Sequence, residues 1–228
     1  MIARLVGLLA CAALAGHAHA ADARFPKPDR PVAPIIAPAY STEATRDRLG
    51  EAERVMSRLS LTPGLRVADV GAGDGYYTVR VARRLGPDAT IYAQDVERTY
   101  LDRLATRLVA ERLPGVTLVH GAPTDPKLPA HAVDVAILAH MYHEIENPYE
   151  FLYRLRPSLA PGARVAVIDV DKPTAEHGTP PALLRCEMAA VGYREIDHIS
   201  LAPADGFLSV FVPRATLPDP ARIKPCRA

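Results

Sequence analysis

Two short stretches and one lone acid carry the residue types most able to do chemistry together. In the first stretch an apolar run ends in Asp69. Three glycines follow at alternate positions, Gly71, Gly73 and Gly75, with Ala72 between the first two, and a helical pattern follows at once. Glycines so placed allow positive φ and let backbone approach a ligand without a Cβ clash. The free N–H groups that open the next helix face the same spot with the positive end of its dipole. A strand, a tight loop and a helix N-terminus in this order make a cradle for a nucleoside cofactor. The lone acid is Asp95, twenty residues past Gly75 at the end of a second apolar run. A carboxylate there accepts two hydrogen bonds from a ribose diol, and Val96 follows as an apolar wall for the base. The second stretch is His140-Met141-Tyr142-His143-Glu144, at the end of a fourth apolar run.

The glycine count separates two kinds of cofactor. A dinucleotide fold wants Gly-x-Gly-x-x-Gly, and counted from Gly71 the third glycine position is Tyr76. The form present is Asp-x-Gly-x-Gly-x-Gly. On these residues the chain resembles class I S-adenosyl-L-methionine (SAM)-dependent methyltransferases. It resembles in particular small exported ones that share Val-Ala-Asp-Val-Gly-Ala-Gly-Asp-Gly-Tyr-Tyr and Tyr-His-Glu-Ile, and the resemblance runs from about Thr42 to Val212. It implies SAM as cofactor, with its methionine part on the glycine loop and Asp69 near its amino group. It also implies that His140 faces the methionine part through its backbone. The family often holds the adenine amino group with an acid soon after the third strand. Here His120-Gly121-Ala122-Pro123 comes first, so Thr124 or Asp125 would act from a longer loop.

Methyl transfer from a sulfonium is an in-line displacement, and the protein's tasks are alignment and removal of a proton. His143 is the candidate base, with Tyr142 or Glu144 orienting it; the alternative for a lone His is a structural cap. No metal site is expected, because His140-x-x-His143 lacks a third ligand nearby and His140 stands where metal-dependent members of the family have an acid. Asp169 and Asp171 leave a fifth apolar run at the same rim, to contact substrate or merely to end a strand. Tyr76 and Tyr77 are either walls for the sulfonium or ordinary packing.

These residues need a scaffold, and the chain supplies one of about a single domain. The 228 residues are 49% hydrophobic, enough for one buried core. A net charge of +1 without a basic stripe argues against a nucleic-acid surface. Residues 1–20 read as a signal peptide. Arg4 supplies the positive region, Leu5 to Ala15 the apolar core, and Ala18-His19-Ala20 the cleavage site. The reading is a periplasmic or secreted protein, cleaved after Ala20, with no transmembrane anchor left. Residues 21–40 form a Pro-rich extended arm, either a linker or a strap whose Val32, Ile35, Ile36 and Tyr40 dock on the domain. The methyltransferase domain is expected at 41–212 and a proline-broken tail at 213–228. After cleavage Cys186 and Cys226 remain, an even pair that suggests one disulfide in an oxidising compartment, or else two unpaired thiols.

Within the domain, Ser41 or Thr42 caps a helix expected to run to about Ser60, with Arg46, Asp47, Arg48, Glu51 and Glu53 on its wet face. Strands are expected at 65–70, 90–94, 116–120, 133–139, 164–170, 193–200 and 207–212. Helices are expected at 78–85, 98–112, 148–159 and 180–190. Strands alternating with helices mean a parallel sheet covered on both faces, and the last two strands form a hairpin that inserts one antiparallel strand. The fold class is therefore α/β: a Rossmann-like, doubly wound, mostly parallel seven-stranded sheet with a C-terminal antiparallel hairpin. The functional expectation is SAM-dependent transfer of a methyl group to a small-molecule acceptor. The alternative is a retired methyltransferase fold that binds a ligand or partner in the periplasm; an NAD-dependent oxidoreductase is disfavoured by Tyr76 and the hairpin.

Overall fold

The computed structural model describes residues 21–36, 42–202 and 206–227. The expected signal peptide, Tyr40 of the arm and the candidate cap Ser41 lie outside the described residues. The central runs of apolar residues form strands buried on both faces, as parallel strands must be when helices cover both sides. They are β1 (Arg66–Val70), β4 (Val133–Ala139) and β5 (Leu159–Asp169). With β2 (Thr90–Asp95), β3 (Val116–His120), β6 (Tyr193–Ser200) and β7 (Phe207–Pro213) they make one sheet in the order β3-β2-β1-β4-β5-β7-β6. Strands β1 to β5 are parallel, and β7 runs antiparallel to both β5 and β6. The expected seven-stranded sheet with its terminal hairpin is the one found.

Side-chain alternation along the strands feeds two cores. Ala68, Val70, Ala136 and Leu138 face α5 (Pro148–Leu155) and α6 (Pro181–Ala190), in a core with Tyr149, Leu152, Leu184 and Met188. Val67, Val135 and Ile137 face α2 (Glu51–Arg58) and α3 (Tyr76–Leu85), with Val55, Leu59, Val81 and Leu85. Helix α4 (Arg98–Ala110) packs Leu104 and Leu108 on Ala93 beside the glycine loop. No helix among the described residues is long and apolar enough to cross a membrane.

Two expected boundaries moved for identifiable reasons. The single helix from Thr42 to Ser60 is two, α1 (Glu43–Arg48) and α2, because Gly50 takes a left-handed conformation with φ +70°. Thr42 caps α1, its hydroxyl accepting from the Thr45 N–H at 3.2 Å. The fifth helix ends at Leu155, before Pro157, which has no N–H to extend it. A 3-10 turn at Arg156–Ser158 follows, and β5 starts at Leu159. Pro161 and Gly162 sit within β5, where the pairing with β4 shifts register between Val133 and Val135, a position that tolerates proline.

Residues 21–36 lie along the domain. Phe25 packs edge-on to Tyr153, and the Ala33 N–H donates to the His143 carbonyl at 3.1 Å. Arg30 is the anchor. Its guanidinium donates to Glu187 at 2.9 Å with both side chains fully buried, and it also donates to the carbonyls of Tyr142 and Ile145 at 3.4 Å. A disulfide joins Cys186 to Cys226. It fastens the tail to α6 beside Glu187, and Asp29 and Arg227 form a bridge between arm and tail. Removing one member of a buried pair leaves the other charge without compensation. Arg30→Ala is therefore expected to cost about 3 kcal/mol or more, read as a lowered urea midpoint at unchanged slope. A loss below about 1 kcal/mol would show that water reaches Glu187 and that the arm is not fastened there.

Candidate functional site

Strand order reverses between β1 and β4, both neighbours in the sheet. The chain leaves these two strands toward opposite faces, so a cleft opens beyond their carboxyl ends. A cavity of about 670 Å³ lies there, a size within the range of small-molecule sites. Its lining brings together Asp69, Gly71, Ala72, Gly73, Asp95, Val96, His140 and His143 from the sequence-predicted set.

The glycine loop is built by backbone. The Gly71 and Ala72 N–H groups donate to the Gln94 carbonyl at 2.8 and 2.9 Å, which ties the loop to β2. Gly71 has φ +72°, and a Cβ there would lie 2.8 Å from the Met141 side chain. Gly75 does not line the cavity. It caps α3 at φ +87°, where a Cβ would come within 2.3 Å of Leu104. Its requirement is therefore for packing, not for ligand approach.

The two strand-end acids are both buried. Asp69 accepts from the Thr78 hydroxyl at 2.6 Å, and burial pushes its carboxyl up to about 6 against that bond. A cationic ligand group would restore the ionised form. Asp95 accepts from the Gly73 N–H and the Glu97 N–H, each at 2.8 Å, and burial raises its carboxyl above the ordinary range despite those bonds. A carboxylate offers about four acceptor sites, so lone pairs remain for a diol.

The third loop is arranged differently from expectation. Thr124 is buried and Asp125 turns back to accept from the Lys127 N–H at 2.8 Å; neither lines the cavity. Pro123 does, together with Val96, Gln94 and Tyr100. This side of the cleft is thus walled by Val96, Pro123 and Tyr100, with Gln94 as its polar member.

The leading helices supply what sequence reading missed. Arg46 and Glu51, expected on a wet face, turn into the protein: Glu51 stands one turn before Val55 on the buried stripe of α2, and Arg46 reaches it from α1. Arg46 donates to Glu51 at 2.6 Å and lies 3.6 Å from the Tyr76 ring centroid. Glu51 also accepts from the Tyr77 hydroxyl at 3.0 Å, and His140 Nε2 lies 3.3 Å from its other oxygen. Arg80 lies 3.8 Å from the Tyr76 centroid as well. Two guanidinium planes so close to one centroid cannot share a face, so neither face of Tyr76 is open to a sulfonium. Among the described lining residues Arg46 is the one arginine or lysine. The sequence signal for Glu51 was its spacing, since Glu51, Val55 and Leu59 lie on one helical face.

The His140–Glu144 segment splits between cavity and core. Tyr142 is fully buried and its hydroxyl donates to Glu187 at 2.8 Å, so it does not line the cavity and does not orient His143. Asp169 does that. It is fully buried, and His143 Nδ1 lies 3.0 Å from its Oδ2. The same carboxylate accepts from the Thr179 hydroxyl at 2.6 Å and from the Val170 N–H at 2.9 Å. Nδ1 is therefore the ring atom placed to donate to Asp169, and Nε2 lies 4.0 Å from Glu144 Oε1. Glu144 lines the cavity next to it, accepts from the Ile36 N–H at 3.1 Å, and is pushed up to about 7 by burial. Residues 33–36 of the arm form one wall of the same cavity.

Comparisons with known proteins agree with this geometry. Residues 67–162 match the model of a family described as a methyltransferase domain. A demethylmenaquinone methyltransferase of Geobacillus sp. (strain WCH70) is 22% identical over 122 residues, which are 54% of this chain and 52% of that protein. An uncharacterized methyltransferase of Mycobacterium tuberculosis (strain ATCC 25618 / H37Rv) is 32% identical over 112 residues, 49% of this chain and 54% of that one. The chain spans about half the length of the curated relatives it matches. Among solved structures, a SAM-dependent methyltransferase from Aquifex aeolicus superposes with a TM-score of 0.65 at 21% identity, covering 75% of this chain and 97% of that one. The cyclase SpnF superposes with a TM-score of 0.62 at 19% identity, covering 77% and 78%. These likenesses establish the fold, and the second shows that the fold alone does not define the reaction.

The Glu51 cluster has a pH signature. Burial raises the Glu51 carboxyl, but the hydrogen bond and charge of His140 and those of Arg46 outweigh it and hold the group near 2, below its ordinary 4.5. A carboxyl depressed in the folded state stabilises fully above its unfolded pKa, and the contribution is lost as pH falls through the folded value. Between about pH 4.5 and 2 the chain is expected to lose roughly 3 kcal/mol from this group. Glu51→Gln removes that part of the slope in denaturant titrations repeated across the range; an identical slope in the variant would assign the acid sensitivity to other groups.

Proposed function

We propose that this chain, which carries a methyltransferase domain over residues 67–162, is a class I SAM-dependent methyltransferase acting on a small-molecule acceptor. One observation carries the reading. Asp69, the glycine loop and Asp95 meet in a single cavity at the reversal of strand order, within a domain of the methyltransferase fold.

The cavity suits SAM part by part. Asp69 answers the amino group of its methionine part, and Arg46 answers the carboxylate. The remaining lone pairs of Asp95 take the ribose diol. Val96 and Pro123 wall the adenine. The methyl then points toward His143 and Glu144. The lone pair on His143 Nε2 lines up an acceptor O–H or N–H and draws off its proton, and Asp169 stabilises the ring that receives it. Tyr142 supports the segment from the core side and takes no part in the proton's path.

The acceptor is read as small because residues 33–36 of the arm and Thr42, Glu43 and Arg46 of the leading segment share the lining of a cavity of about 670 Å³. A relative is named for demethylmenaquinone, and that compound is the first acceptor to test. Export is the reading that the N-terminal pattern supports, and the Cys186–Cys226 disulfide is in keeping with an oxidising compartment.

The direct test is calorimetric titration of the chain from Ala21 onward with S-adenosylhomocysteine, the demethylated product. One-site micromolar binding is expected, weakened at least tenfold by Asp95→Ala with the circular dichroism spectrum unchanged; equal affinity would remove Asp95 from the ribose. Turnover separates an enzyme from a binding module. His143→Asn keeps an amide N–H for Asp169 but has no second ring nitrogen. With labelled SAM and a panel of small acceptors it is expected to lower kcat at least a hundredfold at near-unchanged product affinity. Wild-type rates in that variant would reject His143 as the activating group.

A further inference from the structure

His177 has no part in the reading above, yet it completes a ligand set. It sits in the loop after β5. One ligand atom each from His143, Glu144 and His177 lie within 4.8 Å of one another. His143 Nε2 is 4.0 Å from Glu144 Oε1, and the two histidine rings meet edge-on at 5.5 Å between centroids. The Nδ1 of His177 is buried and has no hydrogen-bond partner among the described residues. A buried ring nitrogen left so is a cost that a ligand would remove.

We infer that His143, Glu144 and His177 form a site for one divalent transition-metal ion of the zinc class. Two imidazoles and one carboxylate are the donors such ions take, with a fourth position left open in catalytic sites. The support is built as metal sites build it. A metal-binding histidine donates its other ring N–H to a carboxylate, and His143 does this to Asp169 at 3.0 Å. Asp169 also holds the ligand loop, through the Thr179 hydroxyl. The Thr179 N–H donates to the Val170 carbonyl at 2.8 Å, and Gly178 passes so close to that carbonyl that a Cβ would lie 2.6 Å from it. His177 itself is held at φ +56°, a conformation uncommon for a residue with a side chain. Ligand atoms on a tetrahedral ion lie about 3.4 Å apart at bonds near 2.0–2.1 Å, so closure onto an ion asks for a shift of well under an ångström between His143 and Glu144. The pair His140-x-x-His143 is not the site, since His140 Nε2 faces Glu51.

His143 and Glu144 line the cavity, so the open position faces the acceptor. This use of the ion rests on the methyltransferase reading; the site itself does not. With an ion held by His143, Glu144 and His177, the site would lower the pKa of a bound acceptor hydroxyl, whose proton would pass to water and leave an oxyanion. The O–CH3 bond forms as the S–CH3 bond breaks, the sulfonium charge is cancelled, and neutral S-adenosylhomocysteine leaves. Proton and ion compete for the same Nε2, so in the loaded protein the ion takes over the activation of oxygen acceptors.

The test is a cobalt(II) titration of the untagged, chelator-treated chain from Ala21 onward, followed by visible absorption, with zinc(II) in competition. Expected are one Co²⁺ per chain with ligand-field bands, displacement by one Zn²⁺, and at least tenfold weaker binding in His177→Asn and Glu144→Gln. Asparagine tolerates the left-handed backbone, so His177→Asn should keep its fold, and its affinity for S-adenosylhomocysteine should stay within threefold of wild type. No stoichiometric cobalt binding, or binding that survives His177→Asn, overturns the site. Cobalt binding by a chain that fails to bind S-adenosylhomocysteine upholds the site and removes the cofactor reading instead.

Discussion

Everything functional in this protein depends on the reversal of strand order between β1 and β4. A parallel sheet covered on both faces must send its connections to one side or the other, and only where the direction changes does the rim stay open. The glycine loop and the His140–Glu144 segment are the two lips of that opening. Their backbones are held by the sheet itself, the loop through the Gln94 carbonyl and His140 through its N–H to Ile168. The site is therefore carried by the most buried part of the molecule, and its placement is as firm as the core.

Charge inside this frame is handled by sharing. Glu51 serves Arg46, Tyr77 and His140 at once, and Asp169 serves His143, Thr179 and the Val170 N–H. A carboxylate taken out of water is tolerated when its lone pairs are filled and a cation or donor stands near. Each of these hubs joins segments far apart in the chain. Glu51 ties the leading helices to the lip after β4, and Asp169 ties that lip to the loop after β5. Asp69, Asp95 and Glu144 all line the cavity, and burial raises the carboxyl of each.

The arm and the tail close the structure from outside. Arg30 reaches Glu187 in the core, Ala33 pairs with the His143 carbonyl, and Ile36 holds Glu144. The disulfide at Cys186 lies next to Glu187 in sequence and fixes the tail against which Asp29 rests. One side of α6 thus anchors both ends of the described chain, and the same arm forms a wall of the cavity. A segment rich in proline suits this role, because an extended chain with few internal hydrogen bonds loses little by lying on another surface.

The sequence by itself determined the parts set by local rules. Apolar runs of strand length, separated by helical patterns and by glycine or proline, specified seven strands, their parallel order and the terminal hairpin. The alternate glycines after Asp69 and the acid ending β2 specified a nucleoside-type cleft, because strand ends and backbone approach depend on neighbours in the chain. Tertiary structure alone decided the rest. Glu51 falls on the buried stripe of α2 with Val55, and only its partners Arg46, Tyr77 and His140, brought in from other elements, make a carboxylate tolerable there. Tyr142 and His143, adjacent in sequence, parted to opposite environments because one side chain faces α6 and the other the cleft. Asp169 was readable as a rim acid but not as the partner of His143, and His177 carried no local signal at all. Partners of this kind meet across elements 26 or more residues apart in sequence, and such distances are fixed by packing, which no spacing along the chain records.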